Sequence, residues 1–369
     1  MTKLPDFDAL LAEVSAADFA CDPLPGWAGT GTLFDAPAAR PGDRLDAGAW
    51  VAAGVPFDGT ASSRPGAAEG QRAIRAASSI YSSALVQRES AEMLDMRTGT
   101  RFRYRPPRLF DAGNLHVYPT DTLRTFKAVA AELRELLAPG GRAIVLGGDH
   151  SVTFPAFAGY RAALRERGEG RRVGFVNVDH HFDFGEWSPL HGALYHGSNT
   201  RRISELADMR PEDVAFVGVG DVTLSKQYER LVEAGFHVVP AARIRAEGAE
   251  AIAPVVGRLL ERCDGVYVSL DIDVLDASVA PGTGNVTIGG LSSAALLDVV
   301  EALQPLPLDV VDVVEVAPRY DPTGRTAQIA ARVLFELLFR AESQPAAPAG
   351  RADRVGAASS GDGATGAGA

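Results

Sequence analysis

Three short stretches of this 369-residue sequence carry carboxylates and imidazoles at spacings that suit a metal site. "GGDHS" at 147–151 supplies His150, "DHHFD" at 179–183 supplies Asp179, His181 and Asp183, and "SLDIDVLD" at 269–276 supplies Asp271 and Asp273. Each stretch stands at the end of an apolar run. A lone His or Asp in that place is usually a cap or turn residue. Several carboxylates meeting there repel one another unless a cation sits among them. Four aspartates and two neutral imidazoles carry −4, which two divalent ions balance. Ligands rich in oxygen and free of thiolate suit Mn²⁺ and leave nickel, iron and zinc open. Two such ions sharing a water lower its pKa from about 15.7 toward ~7, which gives a nucleophile near neutral pH.

For the stretches to converge, the elements before them must end on one side of the molecule. The candidate strands are "WVAAGVPF", "AIVLGG", "RVGFVNVD", "DVAFVGVG", "FHVVPA", "GVYVSLDID" and "DVVDVVEV", and the candidate helices span 121–137, 155–167, 247–262 and 292–303. Apolar strands alternating with helices predict an α/β fold with a mostly parallel sheet covered on both faces. The carboxyl ends of parallel strands share one edge, where ligands bind. A spacing of two places Asp179, His181 and Asp183 on one side of an extended chain, with His180 and Phe182 on the other.

Residues 1–48 read as a short helix and a Pro- and Gly-rich arm that covers a neighbouring surface, and 49–341 as the folded domain that carries the site. Residues 342–369 have almost no large apolar side chains and read as a disordered tail. A net charge of −11 speaks against nucleic-acid or anionic-membrane partners and permits a cationic substrate. No apolar stretch is long enough to span a bilayer and "MTKLPDFDAL" is no secretory leader, so a cytoplasmic enzyme is expected. Cys21 and Cys263, far apart and outside any Cys-x-x-Cys pattern, read as free thiols.

"GGDHS", "DHHFD" and "SLDIDVLDASVAPGTG" (269–284) resemble the three signature blocks of the ureohydrolases, the arginase and agmatinase family. "SSRPGAAEGQRAIR" (62–75) is similar to the family's Ser-x-Arg-x-Gly segment, and "VVEVAPRYDPTGRTAQIAARVLFELL" (313–338) is similar to its closing strand and helix. The resemblance implies an arginase-like three-layer α/β/α sandwich and two Mn²⁺ ions held by His150, Asp179, His181, Asp183, Asp271 and Asp273. It also implies hydrolysis of a small cationic guanidino substrate to urea and an amine, in a homo-oligomer such as a trimer or hexamer. Asp183 then matches the carboxylate that hydrogen-bonds the bridging hydroxide and passes its proton to the leaving amine. Glu315 matches the acid that holds the guanidinium, a planar cation whose N–H edge a carboxylate can pair with. His196, in "HGSNTRR", matches the proton shuttle better than His191, in "LHGAL". His180 stands where the family usually has Ala or Asn and reads as a packing residue behind the site.

Asn199, Ala277, Gln71, Asn114 and "GTGNV" depart from the family pattern, in places expected to shape the pocket without touching a metal ligand. Residues 184–195 lack the Ser-Gly-Asn pattern by which arginase holds the amino-acid end of its substrate. The expectation is therefore an agmatinase-like enzyme acting on agmatine, guanidinobutyrate or a related compound. Glu186 and Trp187 are candidates for the substrate's far end, against the plainer reading of an exposed loop acid and a packed ring. Formimidoylglutamase, which releases formamide, is the alternative within the superfamily. A DHH-type phosphoesterase needs an Asp-x-Asp ending an upstream strand, which residues 1–170 lack. A non-catalytic binding or assembly protein on the same scaffold would be marked by missing ligands, and none is missing.

Overall fold

Runs rich in Val, Ile, Leu and Phe form eight strands: β1 Trp50–Gly54, β2 Leu109–Asn114, β3 Arg142–Leu146, β4 Val173–Val178, β5 Val214–Val219, β6 His237–Pro240, β7 Gly265–Asp271 and β8 Leu308–Val314. The computed structural model describes residues 31–39, 48–85, 92–94, 96, 101–103, 107–220, 222–341 and 344–345. The sheet order is β2-β1-β3-β8-β7-β4-β5-β6 and every pairing is parallel. Successive side chains leave opposite faces. Trp50, Ala52, Ile144 and Leu146 enter one core, with helices Gly70–Leu85, Ala253–Arg262, Ser293–Leu303 and Arg325–Ala341 over it. Val51, Ala53, Ala143 and Val145 enter the other, under helices Thr122–Leu137 and Thr153–Glu166. The three-layer α/β/α sandwich is therefore the fold of the chain. No helix among the described residues is long and apolar enough to cross a membrane.

Several elements differ from the sequence expectation. Helix Gly70–Leu85 lies outside the candidate helices, and of the expected helix over 247–262 only Ala253–Arg262 is α-helical, preceded by a 3-10 turn at Gly248–Ala251 and a separate helix Ala241–Glu247. Strand β2 was not among the seven candidates, because "LFDAGN" carries turn-type residues. Its Asp111 is buried, yet it is satisfied by a two-pronged contact from Arg75, whose Nε and Nη2 lie 2.8 and 2.9 Å from the carboxylate oxygens. Arg75 also donates to Gln71 and Asn114 at 2.6 and 2.8 Å. These two departures from the family pattern thus serve a buried ion pair at the sheet edge rather than the pocket.

The described part of the N-terminal arm packs on the same body: Leu33 and Phe34 are buried, and Ala38 bridges Asp111 of β2. Gln344 and Pro345 pair antiparallel with Arg103 and Phe102. The helix expected near the N-terminus, Cys21 and the remainder of the tail beyond Ala341 lie outside the described residues.

Candidate active site

One local device shapes all three metal-ligand stretches. At the end of β4 the Asp179 carboxylate accepts from the His181 backbone N–H at 2.6 Å, at the end of β7 Asp271 accepts from Asp273 N–H at 2.8 Å, and after β3 Asp149 accepts from Ser151 N–H at 3.0 Å. Each carboxylate caps the N–H two residues on and turns the chain out of its strand. This corrects the strand-alternation argument. β4 ends at Val178, the chain from Asp179 onward is bent rather than extended, and Asp183 has φ +45°. The turns, not the pleat, bring residues i and i+2 together.

The three strand ends are also not all immediate neighbours: β7 and β4 pair directly, but β8 lies between β3 and β7 and delivers Glu315 into the gap. Gly147 and Gly148 let these backbones close up, for a Cβ on Gly148 would stand 1.7 Å from the Phe57 carbonyl oxygen. Gly148→Ala is expected to cost about 2 kcal/mol or more by overpacking, read from denaturant unfolding. An unchanged midpoint would show that the 57–58 loop yields freely.

His150 Nδ1 lies 3.3 Å from Asp179 Oδ2, 3.0 Å from Asp183 Oδ2 and 3.1 Å from Asp271 Oδ2. His181 Nδ1 lies 3.5 Å from Asp179 Oδ1 and 3.2 Å from Asp273 Oδ2. Asp179 thus gives one oxygen to each of two groups, which together contain all six residues expected to hold metal. The residues present fit a cation pair. His150 Nδ1 is buried among three carboxylates without hydrogen-bond geometry to any of them, and Asp273 Oδ1 is buried without a partner. Burial, with Asp273 and Asp179 alongside, pushes the Asp271 carboxyl well above the usual carboxylate range, and burial pushes Asp273 up to about 6.

Supporting residues lie behind the ligands, and sequence reasoning singled out none of them for that role. His150 Nε2 is 3.0 Å from Ser269 Oγ, and Ser269 and Tyr267 each donate to the buried Asp312 at 2.6 Å. This chain orders Nε2 as the donor nitrogen, which leaves the Nδ1 lone pair facing the carboxylates. Asn177 Nδ2 donates to Asp179 at 3.0 Å. Asn199 Nδ2 donates to Asp183 at 2.9 Å, so this departure from the family pattern lies against a residue expected to hold metal. Buried Ser, Asn and Asp flanking an apolar strand, as in "VSLD", "FVNVD" and "VVDVV", are the signal that marks such residues in a sequence.

Glu315 adopts φ +63°, a left-handed conformation that costs a non-glycine residue roughly 1–2 kcal/mol. Its Oε1 accepts from the His150 backbone N–H at 2.9 Å and stands 3.0 Å from His196 Nδ1. His196 Nε2 lies 2.8 Å from Ser62 Oγ, and His196 N–H donates to Thr60 Oγ1, which in turn donates to Asp149 at 2.8 Å. Burial disfavours a charged His196, but the hydrogen bond to Glu315 wins and raises the imidazole to about 9 in the metal-free protein. A raised folded value means that this contribution to stability is complete below the unfolded pKa of ~6.5 and is lost as pH rises through about 9. In an NMR titration of the metal-free protein the His196 midpoint is expected near 9, and Glu315→Gln is expected to bring it back toward ~6.5. An unmoved midpoint would refute this account.

His191 stands on the Ser188–Gly192 turn, without a hydrogen bond or ion pair among the described residues. The His180 ring packs edge-on against His181, 5.3 Å between centroids, and over Gly220. Glu186 is exposed and 3.7 Å from Arg201, whereas Trp187 is 63% exposed rather than packed.

The sequence model of the Arginase family matches residues 49–339. The chain is 32% identical over 326 residues to a mitochondrial agmatinase of Gallus gallus, covering 88% of each chain. It is 32% identical over 317 residues to a guanidinopropionase of Pseudomonas aeruginosa, covering 85% of this chain and 92% of the other. A solved structure of a hypothetical agmatinase from Burkholderia thailandensis superposes with a TM-score of 0.70 at 30% identity, covering 85% of this chain and 91% of that one.

Proposed function

The chain belongs to the arginase family, and from that premise we propose that it is an agmatinase-like ureohydrolase releasing urea from a linear guanidino compound without an α-amino-acid head, such as agmatine or guanidinobutyrate. Members of this family hydrolyse guanidino and amidino compounds, and this chain is a hydrolase of that class. The finer reading is supported above all by two ligand groups that share Asp179, with the Glu315–His196 pair beside them.

In this proposal His150, Asp179, Asp183 and Asp271 would hold one Mn²⁺ ion and Asp179, His181 and Asp273 the other. The pair supplies a shared water acidic enough to lose a proton near neutral pH. Glu315 pairs with the N–H edge of the guanidinium and fixes its central carbon. Asp183, steadied by Asn199, takes the proton as the water oxygen bonds to that carbon. The bond between this carbon and the chain-bearing nitrogen then breaks, the nitrogen leaves as an amine with a proton from Asp183 or from protonated His196, and the hydroxyl left on the carbon gives its proton back to the base that has just lost one. Urea remains. A homotrimer or homohexamer in the cytoplasm belongs to the same proposal, and a monomer in light scattering would overturn that part.

Adding Mn²⁺ to chelator-treated protein at about a hundredfold over its Kd stabilises the fold by ~2.7 kcal/mol, a rise in Tm of roughly 5 °C. No shift with any of Mn²⁺, Ni²⁺, Fe²⁺ or Zn²⁺ would defeat the metal assignment. The activity is tested by incubating Mn²⁺-loaded protein with agmatine, guanidinobutyrate, guanidinopropionate, arginine and formimidoylglutamate while measuring urea and formamide. Urea from a compound without the amino-acid head is expected. Formamide alone would select the formimidoylglutamase reading, and no product from any compound would sink the proposal.

A further inference from the structure

Two clefts open in series beside the ligand groups. The inner one, about 360 Å³, is lined by His181, Asp183 and Gln227 among others. The outer one, about 720 Å³, shares Phe184, Gly185 and Gln227 with it and continues to Arg201, Lys226 and Arg230. Its described lining residues hold three cations and one carboxylate, Glu186, a local charge of 3 − 1 = +2, in a chain whose net charge is −11.

Those charges are unevenly neutralised. Glu186 lies 3.7 Å from Arg201, which also pairs with Glu205 at 3.0 Å. Lys226 and Arg230 have no ion-pair partner among the described residues, and they stand four apart on helix Ser225–Ala234. Like charges at that spacing oppose each other on a helix, and the acids of the same helix, Glu229 and Glu233, do not line the cleft. The group that would relieve this arrangement is an anion. Phe184 stands at the junction of the two clefts with Gln227, and Leu231 and Phe236 line the outer one.

We propose that the outer cleft receives an anionic far end of the substrate, so that the preferred class is a linear guanidino acid rather than a guanidino amine. The inference rests on the ureohydrolase reading above. The guanidinium sits at the Asp183 end, a short methylene chain runs along Phe184, and the carboxylate meets Lys226 and Arg230. Glu186, the one carboxylate of the cleft, is 3.7 Å from Arg201 and offers an amine only a shared, solvated partner.

The test is a pair of substrates of similar length and opposite terminal charge, 4-guanidinobutyrate and agmatine, with kcat/KM measured by urea release. The wild-type protein is expected to favour the acid by roughly tenfold or more. The double variant Lys226→Glu, Arg230→Glu is expected to lower kcat/KM for the acid by roughly a hundredfold and to raise it for agmatine. Glu186→Gln is expected to keep the preference for the acid. A wild-type preference for agmatine, or an acid-to-amine ratio that the double reversal leaves unmoved, would overturn the subsite alone. Urea from neither compound would overturn the subsite, and the ureohydrolase reading falls with it only if guanidinopropionate and arginine also yield no urea.

Discussion

Asp183→Asn is expected to lower kcat for urea release by about three orders of magnitude while leaving the fold intact. The amide has the shape of the carboxylate, and Asn is one of the few residues at ease with the φ of +45° found at this position. Its carbonyl oxygen can still accept from Asn199, which donates to Asp183 at 2.9 Å. What disappears is the charge 3.0 Å from His150 Nδ1 and the capacity to take up and return a proton. Loss of a positioned proton acceptor costs about 10²–10⁴ in rate, and weaker metal binding adds to that. Steady-state kinetics together with elemental analysis separate the two losses. Near-normal turnover with full metal content would refute the role assigned to Asp183. Asp271→Asn is expected to cost as much mainly through lost metal, because Asp271 is buried against His150 and has Asp273 and Asp179 as like-charged neighbours.

Glu315→Gln is expected to reduce kcat/KM by about 10²–10³, with both a higher KM and a lower kcat. Glu315 Oε1 accepts from the His150 backbone N–H and faces His196 Nδ1, and an amide oxygen can accept from both, so the local geometry should survive. The lost feature is the negative charge that pairs with a guanidinium, and removing one partner of a desolvated ion pair costs about 3–5 kcal/mol. Metal content should stay near the wild-type level, since Glu315 reaches His150 only through its backbone. A fall of less than tenfold in kcat/KM, with metal retained, would show that the guanidinium is held elsewhere.

The sheet was legible because parallel strands buried on both faces are written as continuous apolar runs, and seven of the eight were found that way. Strand β2 escaped for a physical reason: its Asp111 is tolerable in a strand only because Arg75, from a helix distant in sequence, forks onto it. The six residues that the fold gathers into two groups were legible because carboxylates and imidazoles that end apolar runs have few other uses when so many recur. Their spacing of two works through turns rather than through the strand pleat, since backbone capping by Asp179 and Asp271 makes the turns that bring them together. Asn199 looked like a neutral departure from a pattern, and only folding sets its amide against Asp183.

By itself, then, the order of residues determined the eventual site chemistry: which side chains could bind a cation, that they close β-strands, and that the strands form a parallel sheet with one shared edge. Tertiary structure decided the rest. It put β8 between β3 and β7, so that Glu315 stands beside His150 and His196; it lined up Ser269 and Asp312 behind His150; and it turned Lys226 and Arg230 toward the outer cleft. The capacity to bind a cation follows from side-chain chemistry and short spacing, which a sequence carries directly. Pairings across dozens of residues depend on strand order and on buried groups finding partners, which are properties of the packed chain.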